Sequence, residues 1–278
     1  MIRPLLFLWM CISLGYSSPY PMGPENRYLS LIYGVSDYDQ VFANRTPVSM
    51  SALGHRGEGV TNESLTMHYQ AGINLSDTLL VSVRYSNIGP MLDLGGEKQK
   101  GISDTYIGWK RNTRFSRISQ GYELGVLIPA SYTEESITSP GTGTEEFHLS
   151  WHWAKAYSPK SSLLAKMSMK LKSSDIPHSL AVDLRYQRLM GNGFGSQILF
   201  SMEDSFGSVN LFDTSSGWPA GTQTAYHLKD EYQQFIGLSL FKNIGKDLQV
   251  FWLGAHKLSG KNTDRSRISH SIGLGWRF

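Results

Sequence analysis

Cysteine is nearly missing from this chain. Its single cysteine, Cys11, lies in the N-terminal segment "MIRPLLFLWMCISLGYSSPYP". Met10 stands before it, where a lipoprotein site needs a small residue, so lipidation is rejected. Past this segment no disulfide framework and no thiolate centre can form, so an exported chain would have to fold on its own extent. Long apolar runs are missing as well. Beyond the N-terminal segment no window of roughly 18 apolar residues exists, and no transmembrane helix is expected. Heptads and convincing amphipathic helices are absent too. Charge is sparse, at 18% of residues, and nearly balanced, with Lys+Arg 26 against Asp+Glu 23 and a formal net charge of +3. The basic residues are spread along the chain and form no stripe, which argues against a nucleic-acid partner. A mean hydropathy of −0.25 is too polar for a multi-helix membrane protein. It leaves room for membrane-spanning strands, because their lumen-facing residues are polar.

What the chain does hold points to strands. Glycine is abundant, with 28 residues, and aromatics make up 12%. The N-terminus reads as a secretory signal peptide over residues 1–17, cleaved on export. Arg3 supplies the positive start, Leu5 to Leu14 the apolar core, and Ser13 with Gly15, or Gly15 with Ser17, the small-residue cleavage spacing. Residues 18–278 then form one domain. Twelve runs of period two follow, at 27–38, 62–75, 79–88, 102–111, 120–130, 144–157, 161–172, 178–188, 194–204, 230–242, 247–258 and 266–278. Each has one apolar face. In "FHLSWHW" it is Phe147, Leu149, Trp151 and Trp153, with His148, Ser150 and His152 opposite. In "LAKMSMKL" it is Leu163, Ala165, Met167, Met169 and Leu171, with Lys166, Ser168 and Lys170 opposite.

A soluble sandwich would bury the apolar faces inside, whereas a membrane barrel would turn them to lipid. Connection lengths choose between them. The connections 39–61, 89–101, 131–143 and 205–229 are long, while 76–78, 158–160 and 243–246 are short; 112–119 is intermediate, and 173–177 is the exception to the alternation. Short periplasmic turns, long extracellular loops and an even strand number are features of outer-membrane barrels, and a soluble sandwich has no reason to sort its loops this way. The expected fold is therefore all-β, a transmembrane antiparallel up-and-down β-barrel of about 12 strands. Its setting would be a bacterial outer membrane reached through the periplasm. The last run, "HSIGLGWRF", turns Ile272, Leu274, Trp276 and Phe278 to lipid and closes onto the first strand, so no edge is left free. Trp276 and Phe278 also resemble the insertion signal of bacterial barrels. Tyr33, Tyr85, Trp109, Trp153, Tyr157, Trp252 and Trp276 fit interfacial girdles.

The middle of the chain adds a resemblance. "GISDTYIGWKRN" (101–112), "YELGVLIPASY" (122–132) and "SPGTGTEEFHLSW" (139–151) give a G-x-x-D strand, a strand ending in proline and a Gly-Thr-Gly loop. This order resembles the barrels named phenol-degradation meta-pathway proteins, related in style to FadL-type transporters of hydrophobic compounds. The likeness covers roughly residues 60–200, and "PAS" departs from the Thr-Gly that more often follows the proline. It implies passage of small, often hydrophobic molecules.

The best polar constellation falls on the inner face. If 158–160 is a tight turn, Tyr157 pairs with Ser161, His152 faces Lys166, His148 faces Lys170, and Glu146 faces Lys172. Asp183 and Arg185 point the same way from the next strand. Such a wall would favour anions, with Glu146 and Asp183 neutralising part of the field; the same residues could equally fill a closed barrel. His148 and His152 share a face, but metal binding needs convergent ligands at about 2 Å, and neighbouring lysines repel a cation. No metal or cofactor is expected. "GNGFG" (191–195) has phosphate-loop spacing without a following helix and reads as a turn. His270 should face lipid near the extracellular end, with Ser269 and Ser271 on the other face, which spoils a nucleophile–base pair. The glycosylation-type sites at Asn44 and Asn62 carry no meaning in this setting.

The leading expectation is an outer-membrane channel, not an enzyme, for passive passage of small hydrophobic or anionic molecules. Outer-membrane lipid, lipopolysaccharide, the barrel assembly machinery and a small-molecule solute are its expected partners. The alternatives are a plugged structural barrel acting at the surface through loops 39–61 and 205–229, and a lipid-modifying enzyme.

Overall fold

The computed structural model describes residues 24, 26–43, 46–49, 60–89, 99–115, 117–130, 145–173, 177–206, 231–261 and 263–278. The segment 1–17, read from the sequence as a signal peptide, most of the 39–61 connection and nearly all of 205–229 lie outside them. Strands run as β1 (Arg27–Ala43), β2 (Thr46–Ser49), β3 (Val60–Gly72), β4 (Asp77–Gly89), β5 (Gln99–Phe115), β6 (Ile118–Ile128), β7 (Glu146–Ser158), β8 (Ser161–Lys172), β9 (His178–Gly191), β10 (Phe194–Phe206), β11 (Tyr232–Ile244), β12 (Leu248–Lys261) and β13 (Thr263–Arg277). Each strand pairs antiparallel with its chain neighbour, and β13 also pairs with β1. The short β2 pairs only with the far end of β1, where Gln40 to Ala43 meet Thr46 to Ser49. Twelve strands thus make a closed wall, as the alternation predicts.

Closure is completed by the last residue. The Phe278 N–H donates to the Arg27 carbonyl and the Arg27 N–H donates to the Phe278 carbonyl, both at 3.1 Å. Every wall strand is paired on both sides, so its backbone groups need no water, which is the condition for crossing lipid.

Period two sorts the side chains. Leu149, Trp151, Met167, Leu184, Leu238 and Leu274 stand exposed on the outside, while Ser150, His152, Ser168, Asp183, Ser239 and Ser271 are buried within. A water-soluble sheet would reverse this order. The expected girdle residues Tyr33, Tyr85, Tyr157 and Trp276 are exposed outward, and Trp109, Trp153 and Trp252 are half-buried.

Several expected boundaries are corrected. β1 continues five residues past 38, so the 39–61 connection opens with strand and not with loop. The intermediate connection 112–119 is a tight turn, because β5 runs to Phe115, which pairs with Ile118. β12 and β13 likewise run through most of the 259–265 connection. Tyr157 does not pair with Ser161. A bulge between Ala156 and Ser158 puts Ser158 opposite Ser161, and the Ser158 and Ser161 hydroxyls meet at 2.8 Å. The GNGFG segment is a turn, as expected. Gly191, Asn192 and Gly193 all have positive φ, at 125°, 48° and 76°. A Cβ on Gly193 would come within 2.7 Å of the Asn243 carbonyl oxygen, so glycine is needed there for space as well as for conformation.

Candidate functional site

The inner wall divides by chemistry. On β5 to β10 it is charged, and the closed topology sets β5 and β6 six strands away from β11 and β12, across the barrel. Glu146, His148, His152, Lys170, Asp183 and Arg185 are all buried on this inner face, and Lys166 is half-buried there. The expected register holds: Glu146 pairs with Lys172, His148 with Lys170, and His152 with Lys166. On the next strand Lys166 pairs with Asp183.

Register does not decide which charges meet. Glu146 and Asp183 were expected to neutralise part of the field, and the Lys166 ammonium lies 3.6 Å from Glu123 on β6. Glu123 also accepts a hydrogen bond from Tyr106 Oη at 2.6 Å and lies 3.1 Å from His152 Nε2. Lys110, fully buried on β5, is within electrostatic range of Glu123, Lys166 and Arg185. Glu123 is therefore the centre of a cluster drawn from β5 to β8. The Lys170 ammonium is ion-paired with Glu203 on β10. Ser179 Oγ donates to Glu203 Oε1 at 2.8 Å, and Gln233 Nε2 donates to Oε2 at 3.4 Å. Glu146 instead meets His148 Nε2 at 2.8 Å. The sequence-based site omits Lys110, Glu123, Glu203 and Tyr106. Their signal was available, since each falls on the even or odd register that its strand turns inward.

The opposite arc is mostly uncharged. Leu199, Phe235 and Ala255 form one buried apolar cluster on β10 to β12, and Ile32, Phe241 and Phe251 form another, with Leu189 packed against it. Hydroxyls follow on β13, β1 and β3, where Ser269, Ser271, Ser30, Ser36, Ser64 and Thr66 are buried. The Ser30, Thr66, Ser86 and Ser269 side-chain oxygens have no hydrogen-bond partner within the protein. Lys257 is the one buried charge of this arc among the described residues, with its ammonium 5.0 Å from the Phe235 ring centre.

Outside the lumen, His270 is corrected in height. It sits at the midpoint of β13, opposite Gly254, with its ring 5.9 Å from that of Trp252. It is exposed while Ser269 and Ser271 are buried on the other face, so these neighbours do not form a nucleophile–base pair with it. Among the described residues no group of three or more His, Cys, Asp or Glu could hold a metal ion. Trp276 and Phe278 are both exposed, with ring centroids 6.1 Å apart.

No family model matches the sequence. No curated protein matches it either. Solved structures do. An outer membrane channel from Pseudomonas putida F1 is similar over 95% of this chain and 99% of its own, with 12% identity and a TM-score of 0.74. KdgM porin in complex with disordered oligogalacturonate is similar over 90% of this chain and 99% of its own, at 9% identity and a TM-score of 0.50. The translocator domain of the autotransporter NalP from Neisseria meningitidis covers 97% and 92%, at 9% identity and 0.51. At such identities these likenesses establish the outer-membrane barrel fold.

Proposed function

We propose that this barrel is an outer-membrane channel through which small solutes diffuse, with a preference for anions. The carrying observation is the charge of the inner wall. Among the described residues Arg84, Lys110, Lys166, Lys170, Lys172, Arg185 and Lys257 outnumber Asp104, Glu123, Glu146, Asp183, Glu203 and Glu231. A narrow lumen with low-dielectric walls focuses such an excess and draws in anions. The hydroxyls without protein partners support a wetted wall, because buried polar oxygens are nearly always hydrogen-bonded to protein or to water. The apolar clusters on β10 to β12 favour solutes that carry an apolar part, in keeping with the resemblance to the phenol-degradation barrels. Two of the similar structures are a channel and a porin, the porin in complex with disordered oligogalacturonate. The third is the translocator domain of an autotransporter, so fold alone does not select the role.

In this reading the short-turn end faces the periplasm, and the final Trp276 and Phe278 serve insertion by the assembly machinery. Planar-bilayer recording of the refolded full chain tests it. Stable conductance steps are expected. Silence from heat-modifiable, folded protein would favour a plugged barrel with a surface role.

A further inference from the structure

The outward face of the short-turn rim repeats one device. Arg111 lies over Trp109, with 5.2 Å between guanidinium and ring centre; Lys155 lies over Tyr157 at 5.4 Å; and Lys242 lies over Phe194 at 4.2 Å. Each cation lies over an aromatic ring, and two of the rings, Trp109 and Tyr157, are of the kind that sits at the membrane interface. Only two acids stand at this rim among the described residues, Asp77 and Asp247, and Asp77 is taken by Arg111 through two bonds of 2.7 and 2.8 Å.

The cations gather most densely on β7 to β9. Arg188 pairs with Ser161, and the Leu189 N–H donates to the Lys160 carbonyl at 2.7 Å, so Arg188 and Lys160 are brought to the same corner. Leu163 pairs with Lys155 on one side and Tyr186 on the other. Lys155, Lys160, Arg188, Tyr157 and Tyr186 are all exposed there, with no described acid beside them. We propose that this corner is a binding site for the headgroup of an anionic glycerophospholipid. The phosphate would sit among the three cations and the acyl chains would run along the apolar faces of β7 to β9. Charge complementarity selects this occupant: a zwitterionic headgroup brings its own cation into an already positive corner, whereas an anionic one does not. The site rests on the membrane-barrel reading but not on conduction, so a silent barrel leaves it standing.

Native mass spectrometry of the refolded full chain, from micelles holding equal phosphatidylglycerol and phosphatidylethanolamine, tests the site. The chain should retain phosphatidylglycerol over phosphatidylethanolamine by roughly fivefold or more. K155Q/K160Q/R188Q should abolish that preference, while K242Q/K246Q, on the β10 to β12 side, should keep it. Lys242 is half-buried and the other four side chains are exposed, and heat-modifiability reports whether each variant has folded. Equal retention by the unmodified chain, or an undiminished preference in the triple variant, would overturn the site. Displacement of phosphatidylglycerol by added lipid A would overturn the choice of occupant.

Discussion

The two arcs of the inner wall are built to opposite rules. From β5 to β10, charges are buried in networks that span several strands, with Glu123 serving Tyr106, His152 and Lys166 at once. From β11 round to β3, the wall is mostly phenyl rings, aliphatics, hydroxyls and neutral polar groups, with Lys257 its one buried charge among the described residues. Both arcs share one packing device. Tyr106 lies across Gly125 in the charged arc and Phe251 lies across Gly273 in the neutral one, so closely that a Cβ on either glycine would overlap the ring. The contrast teaches that polarity is distributed by arc and not by height. A solute passing this lumen would meet dense fixed charge on one side and a surface whose one buried charge among the described residues is Lys257 on the other.

The largest predicted effect breaks the charged arc. Replacing Glu123 with Ala leaves Lys110 and Lys166 without their shared carboxylate. Loss of one partner from a buried ion cluster costs roughly 3–5 kcal/mol. Urea unfolding in lipid should show that drop for Glu123→Ala, and an unchanged midpoint would mean that the network contributes nothing to folding. Next comes the shared device. Gly273→Ala forces the Phe251 ring out of place, at an overpacking cost of about 1–3 kcal/mol. Adding Phe251→Leu should restore part of it in the same assay, and no recovery would show that the ring is not the obstacle. The smallest effect belongs to the neutral arc. The buried Ser30 hydroxyl has no protein partner, so Ser30→Ala should stay within about 0.5 kcal/mol of the native chain. A loss as large as that at Glu123 would erase the contrast between the arcs.

The barrel was legible because period two and turn chemistry act locally. A three-residue connection at 158–160 sufficed to pair His152 with Lys166 and His148 with Lys170. The same logic missed the bulge at Tyr157, since one extra residue leaves the alternation on the far side of the turn unaltered. It also left the ionic partners unnamed. Lys166 reaches past β7 to Glu123, and Lys170 reaches past β9 to Glu203, because curvature brings long side chains two strands away into contact. Register specifies neighbours on adjacent strands, while the length of lysine and glutamate side chains and the closure of the wall specify the rest. The apolar arc was hidden for another reason. Phe235, Phe241 and Phe251 sit on faces that the alternation marks as inward, but their bulk matches the lipid-facing residues, so composition alone does not separate the two sides.

The most direct test of the central claim is the reversal potential of the refolded barrel in a planar bilayer under a potassium chloride gradient. The excess of inward cations predicts a potential displaced toward that of chloride. Lys166→Gln, which removes a half-buried charge and leaves Glu123 paired with Tyr106 and His152, should move it part of the way toward potassium. A native channel that prefers potassium, or one whose potential Lys166→Gln does not shift, would contradict the assignment of the β5 to β10 arc as the selective wall of an anion-preferring channel.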